Sequence, residues 1–116
     1  MSRSEVDRVL TIVDAERERC RRQIESLERS VRAIVEAAEL TSTDDEHDPE
    51  GATIAYERAQ AIALLRQATI DLAALSSVQA ELRSGIEPAC TDCGAPIGLE
   101  RLEALPSARR CIRCAA

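Results

Sequence analysis

Two apolar series in this chain share one period and match each other in reverse order. From Val6, apolar residues recur at Val6, Leu10, Val13, Cys20, Ile24, Leu27, Val31, Ile34 and Ala38, spaced alternately by four and three, with a polar interruption at Arg17. A second series keeps the same spacing through Ile54, Ala61, Leu65, Ala68, Leu72, Leu75, Leu82 and Ile86, interrupted at Arg58 and Gln79. Each series is the seam of a coiled coil. If the chain folds back on itself, facing residues must have a constant index sum. Leu10 with Ile86, Ile24 with Leu72 and Val31 with Leu65 all give 96, and Val13 with Leu82, Cys20 with Leu75, Leu27 with Ala68 and Ile34 with Ala61 give 95. The interruptions pair as well, Arg17 with Gln79 and Ala38 with Arg58. The expected architecture is mainly α: a long antiparallel coiled-coil hairpin over 1–86, folding back between His47 and Asp48.

The fold-back falls inside TSTDDEHDPEGAT, residues 41–53, which holds Asp44, Asp45, Glu46, Asp48 and Glu50 and no Arg or Lys. Helix 1 meets no Pro or Gly from Val6 to Leu40, and the Thr41, Ser42, Thr43 run beyond it favours local side-chain hydrogen bonds over continued helix. Asp48, Pro49 and Glu50 then form a helix start, with a carboxylate cap, proline at the first helical position and an acid facing the positive end of the dipole. Thirty-five or so helical residues at ~1.5 Å each make an arm of about 50 Å, with the acidic loop at its tip.

Composition supports helices and excludes some partners. The 116 residues include no Phe or Trp and one Tyr, Tyr56, so the core must be built from Leu, Ile, Val and Ala. A net charge of -6 argues against a general affinity for nucleic acid, and no direct sequence-specific DNA binding is expected. No apolar run approaches the roughly 20 residues of a membrane span, and MSRSEVDRVL carries no signal-peptide core, so a cytoplasmic protein without membrane association is expected.

After residue 86 the chain changes character and contains four of its five cysteines, as Cys90-x2-Cys93-x17-Cys111-x2-Cys114. A Cys-x2-Cys pair lets two thiolates reach one ion from a tight turn, and two pairs complete the four-sulfur shell of a structural zinc site. Residues 87–116 are therefore expected to form a zinc finger holding one structural Zn2+, with Gly94 serving the turn after Cys93. Arg109, Arg110 and Arg113 are either a counter-charge to the thiolates or an ordinary solvated surface. Cys20 lies on the seam and reads as a small buried apolar residue, and His47 as a solvated side chain. Tyr56 either serves a contact or closes the end of the hairpin.

This combination resembles the DksA/TraR family of bacterial transcription regulators. The resemblance is carried by CTDCGAPIGLERLEALPSARRCIRC, with its cysteine spacing, the CG after the second cysteine and the RLEALP run, and by Asp48-Pro49 where the family has a DPxDxA-like tip motif. It implies a non-enzymatic regulator that binds RNA polymerase, inserting the coiled-coil tip into the secondary channel while the finger and hairpin base hold the rim. The tip residues that it assigns to polymerase contact are Asp48, with Asp44, Asp45 and Glu50 as substitutes, because Gly51 stands where the motif has its second acid. The family's response to ppGpp is not carried over: Arg66 is the only cation between residues 59 and 82, and Cys114 is followed by Ala115 and Ala116. Two other readings stay open, a zinc-stapled adaptor without polymerase function and a Gre-like stimulator of transcript cleavage whose tip acids hold Mg2+.

Overall fold

A computed structural model of the chain describes residues 1–40 and 49–115. Its elements are α1 (Arg3–Leu40), α2 (Pro49–Arg83), α3 (Leu99–Ala104) and α4 (Ile112–Ala115), and among the described residues the only extended pairing is a β-bridge between Ala89 and Pro96. The two long helices form the antiparallel hairpin expected from the paired seams.

Helix α1 begins with a capping box. The Ser2 hydroxyl accepts from the Glu5 N–H at 3.2 Å, and the Glu5 carboxylate accepts in return from the Ser2 N–H at 3.3 Å. This satisfies two of the donors that a helix start leaves without partners. Helix α2 starts at Pro49 as expected.

The chain divides into two compact units, one of Met1–Arg21 with Ile70–Ala116 and one of Arg22–Thr69. In the second, Ala61 and Ala68 are buried and Leu27, Val31, Ile34 and Leu65 are half-buried. Two helices with only each other for cover shield one narrow stripe, and small side chains on α2 are what vanish most completely beneath it. The first unit buries more. Val13, Cys20, Leu75 and Leu82 lie on the expected seam, but Val9 and Val78, which do not, are 0% exposed. A second buried stripe requires a third layer, and the finger supplies it with Ile97, Leu102 and Ala108, all buried in the same unit. Ion pairs join the layers, Arg8 of α1 with Glu103 of α3, and Arg109 with Glu81 of α2 at 3.8 Å. Both are partly solvated, so each contributes no more than about 1 kcal/mol.

The polar interruption at Arg17 is satisfied from the facing helix. Arg17 Nε donates to Ser76 Oγ at 3.0 Å, Gln79 Nε2 donates to Asp14 Oδ1 at 2.5 Å, and Arg83 lies 3.6 Å from Asp14 Oδ2. The expected pairing of Arg17 with Gln79 is thus replaced by a staggered set, each partner displaced by about one helical turn.

Ile86 departs from the sequence expectation. It is 56% exposed and lies beyond α2, because the helix ends at Arg83 in a Schellman motif. Gly85 at φ 75° donates to the Leu82 carbonyl at 3.2 Å, and Ile86 donates to the Glu81 carbonyl at 2.8 Å. A left-handed residue reverses the chain, and glycine adopts that conformation without a Cβ penalty. The seam therefore closes on Leu82, not on Ile86.

Gly51–Arg83 is, by length and composition alone, long and apolar enough to cross a membrane, although no uninterrupted apolar run within it approaches about 20 residues. Arg66 and Asp71 lie within it, and each would cost about 2.5–3.5 kcal/mol near a bilayer centre. The buried Ala61, Ala68, Leu75 and Leu82 instead serve the hairpin.

Replacing Leu75 with Ala should cost about 2–5 kcal/mol in urea unfolding, whereas Ile86→Ala should change stability by less than about 0.5 kcal/mol. Gly85→Ala should cost about 1–2 kcal/mol through backbone strain alone, since no atom lies within 4 Å of the added Cβ.

Candidate metal centre

Two turns of similar construction build the site. In the first, Cys90 N–H donates to the Ala95 carbonyl at 2.7 Å and Gly94 N–H to the Cys90 carbonyl at 2.9 Å, folding Cys90–Cys93 into a tight loop. Gly94 leaves that loop at φ 77°, a left-handed conformation, so the glycine expected there is required by the backbone. The second turn opens α4, where Ala115 N–H donates to the Cys111 carbonyl at 3.0 Å. Between the turns, Pro88, Ile97, Leu102 and Ala108 are buried, and Ile97 N–H bonds the Pro88 carbonyl at 3.0 Å. Thr91 ties one turn to the other, its N–H and its hydroxyl both donating to the Arg109 carbonyl at 2.9 and 3.2 Å.

The result brings the sulfurs of Cys90, Cys93, Cys111 and Cys114 within 4.8 Å of one another, with Cys93 and Cys111 at 3.7 Å. A tetrahedral ion with Zn–S bonds of ~2.3 Å spaces its sulfurs by about 3.8 Å, so the donor set fits zinc. Because all four ligands are thiolates, the shell is closed and the metal is structural.

The protein prepares the thiolates unequally. The backbone N–H of Cys111, with those of Cys93 and Asp92, holds the Cys90 thiol down to about 6 against the opposing effect of burial. The N–H of Cys114, with that of Arg113, likewise holds Cys111 below the usual thiol range. In each Cys-x2-Cys turn the second and third residues after the first cysteine thus aim their amides at its sulfur. Cys114 is pushed up to about 12, first by its hydrogen bonds to Cys111, Cys93 and Cys90, so it carries the proton that the other sulfurs share.

The neighbouring arginines are engaged elsewhere. Arg109 faces Glu81, Arg110 lies 3.7 Å from Asp92 and Arg101 Nε donates to the Arg110 carbonyl at 2.9 Å. Their charges stitch the finger together, while Arg113 is exposed. Cys20 is buried in the seam away from this cluster, and burial pushes its thiol above the usual range, as for an inert packing residue. Tyr56 is 72% exposed and closes nothing among the described residues. Of the tip assignments, Asp44, Asp45 and Asp48 lie outside the described residues, as does His47, and Glu50 is placed only by its backbone in the first turn of α2.

The class defined by this geometry is a four-thiolate zinc finger closing one end of a helical hairpin. Residues 83–116 match the family model of the prokaryotic dksA/traR C4-type zinc finger. Over 99% of this chain and 83% of the other, the fold is similar to the structure of transcription factor DksA2 from Pseudomonas aeruginosa, at 26% sequence identity and a TM-score of 0.73. No curated protein matches the chain. The family model thus covers the zinc finger, and the structural likeness extends to the hairpin.

The purified protein should carry one zinc per chain, and Cys114→Ser should lose it while also lowering the unfolding midpoint. Zinc affinity should fall with decreasing pH, because binding must displace the proton on Cys114, held at about 12. The dependence should steepen by one proton below about 6, where Cys90 is protonated as well. Competition with a chromophoric chelator between pH 5 and 8 measures both slopes.

Proposed function

We propose that the chain is a non-enzymatic transcription regulator that binds RNA polymerase, inserting the acidic end of its helical hairpin into the secondary channel while the zinc finger gives the opposite end its shape. The observation that carries this reading is that hairpin and finger occur together in a chain whose fold resembles transcription factor DksA2 over almost its whole length. Helices of 38 and 35 residues supply the reach, at ~1.5 Å per residue. The five acids between residues 44 and 50 supply an end that can face a metal-bearing or basic centre. Asp48, Asp44, Asp45 and Glu50 are the contacts assigned to that end, with Gly51 removing the second acid of the family motif. The protein acts by occupancy: its closed thiolate shell leaves no coordination position for a substrate. Its place of action is that of the polymerase, the cytoplasm.

Titrated into transcription reactions with purified polymerase, the protein should change the rate of initiation at responsive promoters. Asp48→Ala should abolish this effect while leaving binding to core polymerase measurable. Absence of binding by the unaltered protein at low micromolar concentration would overturn the reading.

A further inference from the structure

In the unit Arg22–Thr69 the two helices show different surfaces to solvent. Between Arg22 and Leu40, α1 carries seven charged side chains, whereas from Ala59 to Thr69 α2 carries one, Arg66. The exposed residues of α2 include a second heptad series, Ala52, Tyr56, Ala59, Ala63 and Arg66, spaced alternately by four and three. It runs two residues out of step with the seam of Ala61, Leu65 and Ala68, which is about 200° round the helix. Gln60 and Gln67 flank it on one side; on the other, Ala55 and Ile62 border an apolar hollow with Ala38 and Ile54. A helix that is apolar all round is covered on more than one side, and α1 covers only one. Tyr56 is 72% exposed, and neither it nor Arg66 has a hydrogen bond, ion pair or ring contact among the described residues.

We infer that this outer face of α2 pairs antiparallel with the same face of a second copy of the chain. The residues set the register. With facing positions at an index sum of 122, Tyr56 of one copy meets Arg66 of the other and Ala59 meets Ala63, while Gln60 and Ile62 each adjoin their own counterparts across the two-fold axis. Each lone cation then lies against a tyrosine ring, a cation–π contact made twice. No carboxylate stands in the series or its flanks, and Ala59 and Ala63 let the helix axes approach closely.

Charge also selects the antiparallel direction. A parallel pair would set Arg66 against Arg66 and the two acidic 44–50 segments side by side. The antiparallel register separates the starts of the two α2 helices by about 35 Å at ~1.5 Å per residue, well beyond a Debye length of ~8 Å. A bilayer suits this face less well, because Arg66 stands within it and a net charge of -6 is repelled by anionic lipid. The contact is smaller than a standard interface of about 1,600 Å2, so the dimer is weak and forms as concentration rises. The face is distinct from the metal centre and the tip acids, and the inference does not rest on the polymerase reading.

Sedimentation velocity of the zinc-loaded full chain, from micromolar to millimolar concentration, should show a monomer–dimer equilibrium. Tyr56→Lys should weaken the dimer by at least about tenfold by opposing like charges, and adding Arg66→Glu to the same chain should restore it. Positions 56 and 66 stand about 15 Å apart along one helix, so this rescue reports a contact between copies in the stated register. Leu64→Gln, exposed but off the series, should leave association unchanged. Circular dichroism and zinc content should be the same in all variants. A monomer at every concentration, a dimer indifferent to Tyr56→Lys, no rescue by Arg66→Glu, an equal loss with Leu64→Gln, or binding to phosphatidylglycerol vesicles without self-association would each overturn the inference.

Discussion

Everything at the finger-bearing end of this protein depends on four thiolates being held at one point. Residues 84–115 have few side chains to bury, Pro88, Ile97, Leu102 and Ala108 beside the cysteines themselves. Such a segment cannot offset its conformational entropy by hydrophobic burial alone. The metal closes the loop between the Cys-x2-Cys turns and gives the short helices α3 and α4 a fixed frame. In that frame Leu102 is fully buried, in the same unit that buries Val9 and Val78. Loss of the ion would remove a packing layer from the hairpin as well as a fold from the finger.

Much of this was legible in the residues. The reversed match of the two seams gave the hairpin, because antiparallel helices of equal pitch leave no other arithmetic, and the cysteine spacing gave the zinc shell. What escaped has specific physical causes. Val9 and Val78 lie outside a two-helix seam, and only a third layer makes their positions interior. Ile86 continues the heptad period, but periodicity carries no information about where a helix stops; Gly85 did, and its left-handed conformation ends α2 before Ile86. The Ser2–Glu5 capping box was visible as S-x-x-E and extends α1 upstream of the first seam residue. The staggered bonds of Asp14, Arg17, Ser76 and Gln79 depend on side-chain reach, which an index sum cannot express.

Electrostatics are divided along the chain. Around the finger the arginines are spent on internal pairs, to Glu81, Asp92 and backbone carbonyls, so the cluster's thiolates are supported mainly by backbone amides. Backbone donors cannot be mutated away one at a time, which makes the site tolerant of change at the arginines and intolerant of change in the turns. The surplus acids lie in residues 41–53, which hold five carboxylates and no Arg or Lys.

The bond between Arg8 and Glu103 joins residues 95 positions apart. Translation proceeds from the N-terminus at roughly 5–20 residues per second, so the start of α1 emerges about 5–20 s before the groups that cover it. For most of that interval, until α2 is complete at Arg83, Val9 and Val13 belong to an exposed stripe on a helix whose partner is still unmade. The final contacts of the hairpin base are therefore made late and at long range, after the finger that covers them has been synthesised.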